Sequence, residues 1–221
     1  VALSNQLMVE GSRLQRHTSE VAQDVLRMGA LVEESFRYSH QALFEGDLET
    51  VVLITNQDIE IDRYYRHIEM RCATILTLQA PVAQDLRILS AFMQLVRDLE
   101  RIGDYAKDLG QIAIKLALYP SHSCMPELAA MSKHAQVMLA KAMVALSELD
   151  SQAGEKIKLL DDTVDNAYDK LYHTLAQQRD IKGVVEPIIL LALAIRHIER
   201  MADHATNIAQ RVSYIVTGER N

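Results

Sequence analysis

Apolar residues recur at helical spacing along almost the whole chain. Ile88, Phe92, Leu95, Leu99, Ile102, Ala106, Leu109, Ala113 and Leu116 form one unbroken stripe. Steps of three and four residues keep such positions on one side of an α-helix, which turns once in about 3.6 residues. A matching stripe runs through Leu191, Ala194, Ile198, Met201, Ala205, Ile208, Val212 and Ile215. Shorter ones run through Ile54, Ile61, Tyr65, Ile68, Cys72 and Ile75, and through Ile157, Val164, Tyr168, Leu171 and Leu175. Leu128, Met131, Ala135, Met138, Ala142, Ala145 and Leu149 make another. The weakest contains Val21, Val25, Met28, Val32 and Phe36. Breakers separate the stripes: Gly46-Asp47, Gln79-Ala80-Pro81, the proline- and serine-bearing residues 119–126, Asp150-Ser151 and residues 180–183. Pro81 suits a helix start. The pattern predicts an all-α chain of six long helices, three per half. Each half reads as an antiparallel three-helix bundle, residues 1–120 and then 121–221.

The halves repeat one another. Arg97-Asp98-Leu99-Glu100-Arg101-Ile102-Gly103-Asp104-Tyr105-Ala106 aligns with Arg196-His197-Ile198-Glu199-Arg200-Met201-Ala202-Asp203-His204-Ala205 at an offset of 99. Upstream, Ile61-Asp62 aligns with Val164-Asp165 at an offset of 103. A duplicated unit of this size is read before any single motif.

The repeat carries four acidic pairs at four-residue spacing: Asp58 and Asp62, Glu100 and Asp104, Asp161 and Asp165, Glu199 and Asp203. That spacing puts both carboxylates on one helix face, where like charges repel. Asp58 precedes Pro81 by as many residues as Asp104 follows it, and Asp62 and Glu100 are likewise equidistant. Around Lys182 the same holds for Asp161 with Asp203 and for Asp165 with Glu199. Folding each hairpin at these points brings four carboxylates to one level in each half. Glu100 follows Leu99 of the stripe by one residue, about 100° around the helix, so the carboxylates belong at the bundle's edge, open to ions from solution.

The net charge of −7 argues against a nucleic-acid partner, which needs a basic face. Cys72 and Cys124 stand apart and in no CxxC spacing, which excludes a cysteine zinc site and a disulfide framework. Cys72 falls on an apolar stripe and reads as core. No run reaches the length of a membrane span, and the start has no signal-peptide pattern. The expectation is a cytoplasmic protein.

The segments Pro81-Val82-Ala83-Gln84-Asp85-Leu86-Arg87 and Arg97 to Ala106 resemble the PhoU family. So do Glu199 to Ala209 and Val216-Thr217-Gly218-Glu219, and the resemblance covers the chain from about Leu14. Asp108 departs from it, standing where the first repeat of the family usually has Asn, as Asn207 does in the second. The resemblance implies two three-helix bundles related by a pseudo-twofold axis. It implies that Asp58, Asp62, Glu100, Asp104, Asp161, Asp165, Glu199 and Asp203 hold multinuclear clusters of iron, zinc or a similar metal. It also implies a non-enzymatic negative regulator of phosphate uptake and phosphate-starvation signalling. The implied partners are the ATPase subunit of the phosphate ABC transporter and the phosphate-sensing histidine kinase, which would bring the protein to the inner face of the membrane. A second copy of the chain is a further candidate partner.

Other readings stand beside this one. Oxygen-only ligands favour Mg²⁺, Mn²⁺ or Ca²⁺, although iron also accepts them. Each acidic pair alone reads as a solvated helix face. Arg97, Arg101, Arg196 and Arg200 flank the motifs, either orienting the carboxylates or neutralising them. His197 reads as a surface or partner-facing residue, and a ligand role for His204 is disfavoured because Tyr105 replaces it in the first repeat. A structural adaptor with a metal-free acidic face is one alternative. A di-iron carboxylate oxidase is another, weakened by the lack of any Glu-x-x-His in the sequence. Nothing resembles a glycine-rich phosphate loop, so direct phosphate sensing is not expected.

Overall fold

The structure, a computed structural model, describes residues 13–178 and 183–219. Among them are six long α-helices and no strand. They are α1 (Arg13–His40), α2 (Thr50–Gln79), α3 (Ala83–Leu116), α4 (Met125–Glu148), α5 (Ala153–Ala176) and α6 (Glu186–Thr217). A π-helical turn, Gln41–Glu45, extends α1 and closes at Gly46, whose φ of 76° suits a residue without Cβ.

Helices α1–α3 form one bundle and α4–α6 the other. The sequence stripes face inward: Leu95, Leu99, Ile102 and Ala106 of α3 and Ile198, Met201, Ala205 and Ile208 of α6 are all fully buried. Cys72 is buried as well, and burial pushes its thiol up to about 12, which makes it an inert core residue.

The most extensive helix pairing joins the two bundles, α3 against α6. Both helices are therefore buried on two sides, and one apolar cluster runs through both halves. The pairing is antiparallel, because Asp98 meets His204 whereas Tyr105, further along α3, has its ring 5.2 Å from that of His197, further back on α6. The repeat offset converts Asp98 into His197 and Tyr105 into His204, so it exchanges these two contacts. That exchange is the pseudo-twofold axis.

Pro81 lies in the connecting turn, buried, two residues before α3 begins. The expectation that it opens the helix is corrected to that extent, since Ala80 and Ala83 take positive φ around it. Pro126 and Pro187 do occupy the first turns of α4 and α6, where a missing N–H costs nothing. The turn around Lys182 lies outside the described residues. Gly218 ends α6 at a φ of 81°, and a Cβ there would stand 2.1 Å from Arg87 Nη1. Arg87 thus packs against the C-terminal cap of α6. No helix among the described residues is long and apolar enough to cross a membrane.

Two acidic quartets and the seam between the bundles

Each half gathers its four carboxylates from its second and third helices. In the first half, Ile61 and Leu99 are buried while Asp58, Asp62, Glu100 and Asp104 lie half-buried along the edge beside them. Gly103 lets α2 and α3 close up at this level, because a Cβ there would stand 3.2 Å from Ile61 Cδ1. The repeat places Val164 and Ala202 at the equivalent positions. One carbon has moved from one helix to the other with little change in total volume.

The carboxylates feel one another. Burial raises the pKa of Glu100, and the charges of Asp104, Asp62 and Asp58 raise it further against the pull of Arg101. Burial also raises Asp104, which Asp58 and Asp62 reinforce. In the second half, burial raises Asp165 and Glu199, with Asp203 adding to both. Asp161 is pushed up to about 6, by burial first and then by Asp165 and Asp203.

The quartets differ in their counter-ions. Lys107, one turn beyond Asp104 and two beyond Glu100 on α3, places Nζ 2.5 Å from Asp58 Oδ2. Arg101 Nη1 stands 3.2 Å from Asp104 and Arg66 Nη2 3.8 Å from Asp62. In the second half Arg196 Nη1 donates to both oxygens of Glu199, at 2.6 and 2.7 Å. Arg200 lies 3.5 Å from Asp203. The repeat equivalent of Lys107 is Thr206. A side-chain contact from its hydroxyl lowers the Asp161 pKa, but the contact is loose: Thr206 Oγ1 and Asp161 Oδ1, both buried, meet no partner at full hydrogen-bonding geometry. Asp161 therefore keeps an orphaned oxygen where Asp58 has an ammonium. Among the described residues, no three His, Cys, Asp or Glu side chains form a group able to hold a metal ion as they stand. Coordination within a quartet requires its side chains to rotate inward.

The family model of the PhoU domain matches residues 25–113 and again residues 128–212, so that each match contains one quartet. The chain belongs to the PhoU family. A protein of Synechocystis described as a phosphate-specific transport system accessory protein PhoU homolog is 70% identical over 211 residues, spanning 96% of this chain and 94% of its own. The crystal structure of PhoU from Pseudomonas aeruginosa superposes with a TM-score of 0.88 at 29% identity, covering 94% of this chain and 100% of that one. The phosphate transport system regulatory protein PhoU from Streptococcus pneumoniae gives 0.86 at 28% identity, covering 95% and 99%.

The second polar region of this chain lies in the α3–α6 seam, and sequence reasoning missed it. Asp98 is buried, with His204 Nδ1 2.9 Å from one oxygen and Arg211 Nε 2.9 Å from the other. Arg211 also donates to Gln94. His204 is 9% exposed, and its Nε2 is buried without a partner. His197 is half-buried in the seam rather than on the surface, its ring 5.2 Å from that of Tyr105. The surface reading of His197 is corrected, because pseudo-symmetry turns it inward together with Asp98. Burial lowers its pKa, partly opposed by Asp108 4.0 Å away. Arg101, Arg196 and Arg200 pair with the acidic motifs, but Arg97 forms no ion pair among the described residues. The missed signal was a seven-residue spacing, Asp98 to Tyr105 on α3 and His197 to His204 to Arg211 on α6.

Proposed function

We propose that this chain is a non-enzymatic regulator of phosphate transport that lowers uptake and phosphate-starvation signalling through protein contacts. The Synechocystis relative's description as a transport-system accessory protein and the Streptococcus pneumoniae structure's description as a regulatory protein support this reading. The partners proposed are the transporter's ATPase subunit and the phosphate-sensing histidine kinase, met at the inner face of the membrane.

We propose further that the quartets are metal sites. The observation that carries this is the buried Asp161 Oδ1 without a partner, in a quartet where burial first, and then neighbouring carboxylates, raise the pKa of Asp161, Asp165 and Glu199. A buried acceptor without a partner is costly, and a cation would satisfy it. Asp161, Asp165, Glu199 and Asp203 would hold metal in the second half, and Asp58, Asp62, Glu100 and Asp104 in the first once Lys107 moves aside. Bound metal supplies positive charge that ties the second helix of a bundle to the third. Oxygen ligands suit Mg²⁺, Mn²⁺ or Ca²⁺ and also accept iron.

A metal-free docking face is the second reading, favoured by the ion pairs already made by Lys107, Arg101 and Arg196. Elemental analysis of protein purified without chelator separates the two. Metal that falls when Glu199→Ala is combined with Asp203→Ala, in a chain that stays helical, supports the sites. A metal-free parent that still captures the transporter ATPase makes the quartets docking surfaces. A parent that captures neither the ATPase nor the kinase contradicts the regulatory proposal.

A further inference from the structure

The seam opens into a cavity of about 530 Å³ lined by Gln94, Arg97, Asp98, Arg101, Tyr105, Arg200, His204 and Arg211. Four guanidinium groups and one carboxylate face the same space. We infer that this cavity binds a small phosphoryl oxyanion, free inorganic phosphate in its hydrogen-phosphate form, between the two bundles.

Three observations carry the inference. The first is charge. A guanidinium has five N–H donors in a planar fork that matches oxyanion geometry. Arg101, Arg200 and Arg211 each spend part of theirs on a carboxylate at the rim or wall, namely Asp104, Asp203 and Asp98. Arg97 spends none on an ion pair among the described residues. The lining therefore holds more cationic donors than the protein uses.

The second observation is His204. Asp98 can only accept when ionised, so its 2.9 Å contact places the proton on His204 Nδ1. The other ring nitrogen, Nε2, is left buried and unpartnered on a residue that lines the cavity. A neutral imidazole accepts a hydrogen bond at that atom. Hydrogen phosphate offers both kinds of group, oxyanion acceptors for the arginines and a P–OH donor for Nε2. Sulfate at neutral pH offers only acceptors.

The third observation is asymmetry. Arg101, Tyr105, Arg200 and His204 are related in pairs by the pseudo-twofold axis, and the repeat equivalent of Arg97 is Arg196. The repeat equivalents of Gln94, Asp98 and Arg211, however, are Leu193, His197 and Ile112. The duplication alone does not generate the Gln94–Asp98–Arg211 wall. It exists on one side of the axis and completes one cavity.

The cavity shares Arg101 and Arg200 with the rims of the quartets but contains none of their carboxylates, so its test runs in EDTA, where metal-mediated phosphate binding is absent. Calorimetric titration of inorganic phosphate into the full chain should show one site per chain, with sulfate at least tenfold weaker. Arg97→Gln removes an exposed, unpaired guanidinium and should leave helicity and melting unchanged while weakening phosphate at least tenfold. His204→Phe should bring phosphate and sulfate affinities together. The Arg97 variant keeps the test open if the His204 variant unfolds. No heat from millimolar phosphate, or equal binding by the parent and Arg97→Gln, would overturn the inference. Equal affinity of the parent for phosphate and sulfate would overturn the role of Nε2 and the choice of phosphate.

Discussion

The two acidic quartets occupy equivalent places in a duplicated fold, and they differ most at one position. In the first, Lys107 reaches across from α3 and neutralises Asp58 at 2.5 Å. In the second, Thr206 stands there, and Asp161 keeps an unpartnered buried oxygen and a pKa near 6. An ammonium so placed does for the first quartet what a bound cation would do for the second. Duplication supplied two quartets of the same architecture, and on the proposed metal reading a single side chain would set how much each gains from a cation. On this account the second quartet is the stronger site and the first is self-neutralised.

The largest effect should come from giving the second quartet its own ammonium. Thr206→Lys should weaken Mn²⁺ binding there by about a thousandfold, since unit charges about 4 Å apart near a protein surface interact by about 4 kcal/mol. Titration of a protein whose first quartet is disabled measures this, and unchanged affinity would break the comparison. The reverse change, Lys107→Thr, should strengthen the first quartet by about tenfold, less because Arg101 and Arg66 remain in place.

The pH dependence has a definite sign. A carboxylate whose pKa is raised on folding is most favourable when protonated. Its contribution is fully present below about 3.8 for Asp161 and is lost as pH rises through about 6. Glu100, Asp104, Asp165 and Glu199 are shifted the same way and act in the same direction. Metal-free protein should therefore melt at lower temperature at pH 7 than at pH 5, and saturating Mn²⁺ should reverse the loss. Asp161→Asn should flatten this slope and raise the metal-free melting temperature at pH 7 by about 2–4 °C. A profile in EDTA that stays as steep in this variant would show that burial at Asp161 is not the main cause.

The smallest effect tests the packing beneath the quartets. Against about 1 kcal/mol gained in helix propensity, Gly103→Ala should lose about 1 kcal/mol to crowding, because the new Cβ meets Ile61 Cδ1 at 3.2 Å. Adding Ile61→Val should recover most of that, since it recreates the Val164–Ala202 combination of the other half. Denaturant unfolding of the single and double variants reads the coupling, and additive losses would contradict it.

The six helices were legible because each buries an apolar stripe, and stripes such as Leu95 to Ala106 survive in the sequence as spacing. The quartets were legible because like charges at four-residue spacing are unusual on a solvated helix and because the halves could be laid over each other. The seam was not. Its central positions, Asp98, Tyr105, His197, His204 and Arg211, are polar, so no hydrophobic period marks them as inward. His197 read as a surface or partner-facing residue until the α3–α6 pairing put Tyr105 beside it. The counter-ion difference was hidden for another reason. Lys107 and Thr206 lie outside the acidic motifs, and only the fold shows that Lys107 reaches Asp58 on the neighbouring helix.

The most direct measurement compares the quartets in isolation. Mn²⁺ is titrated by calorimetry into Glu100→Ala/Asp104→Ala protein, which keeps only the second quartet, and into Glu199→Ala/Asp203→Ala protein, which keeps only the first. The account predicts that the second quartet binds at least tenfold more tightly, with affinity climbing as pH passes through about 6 and protons are released. Equal affinities in the two proteins, or a tighter first quartet, would contradict it.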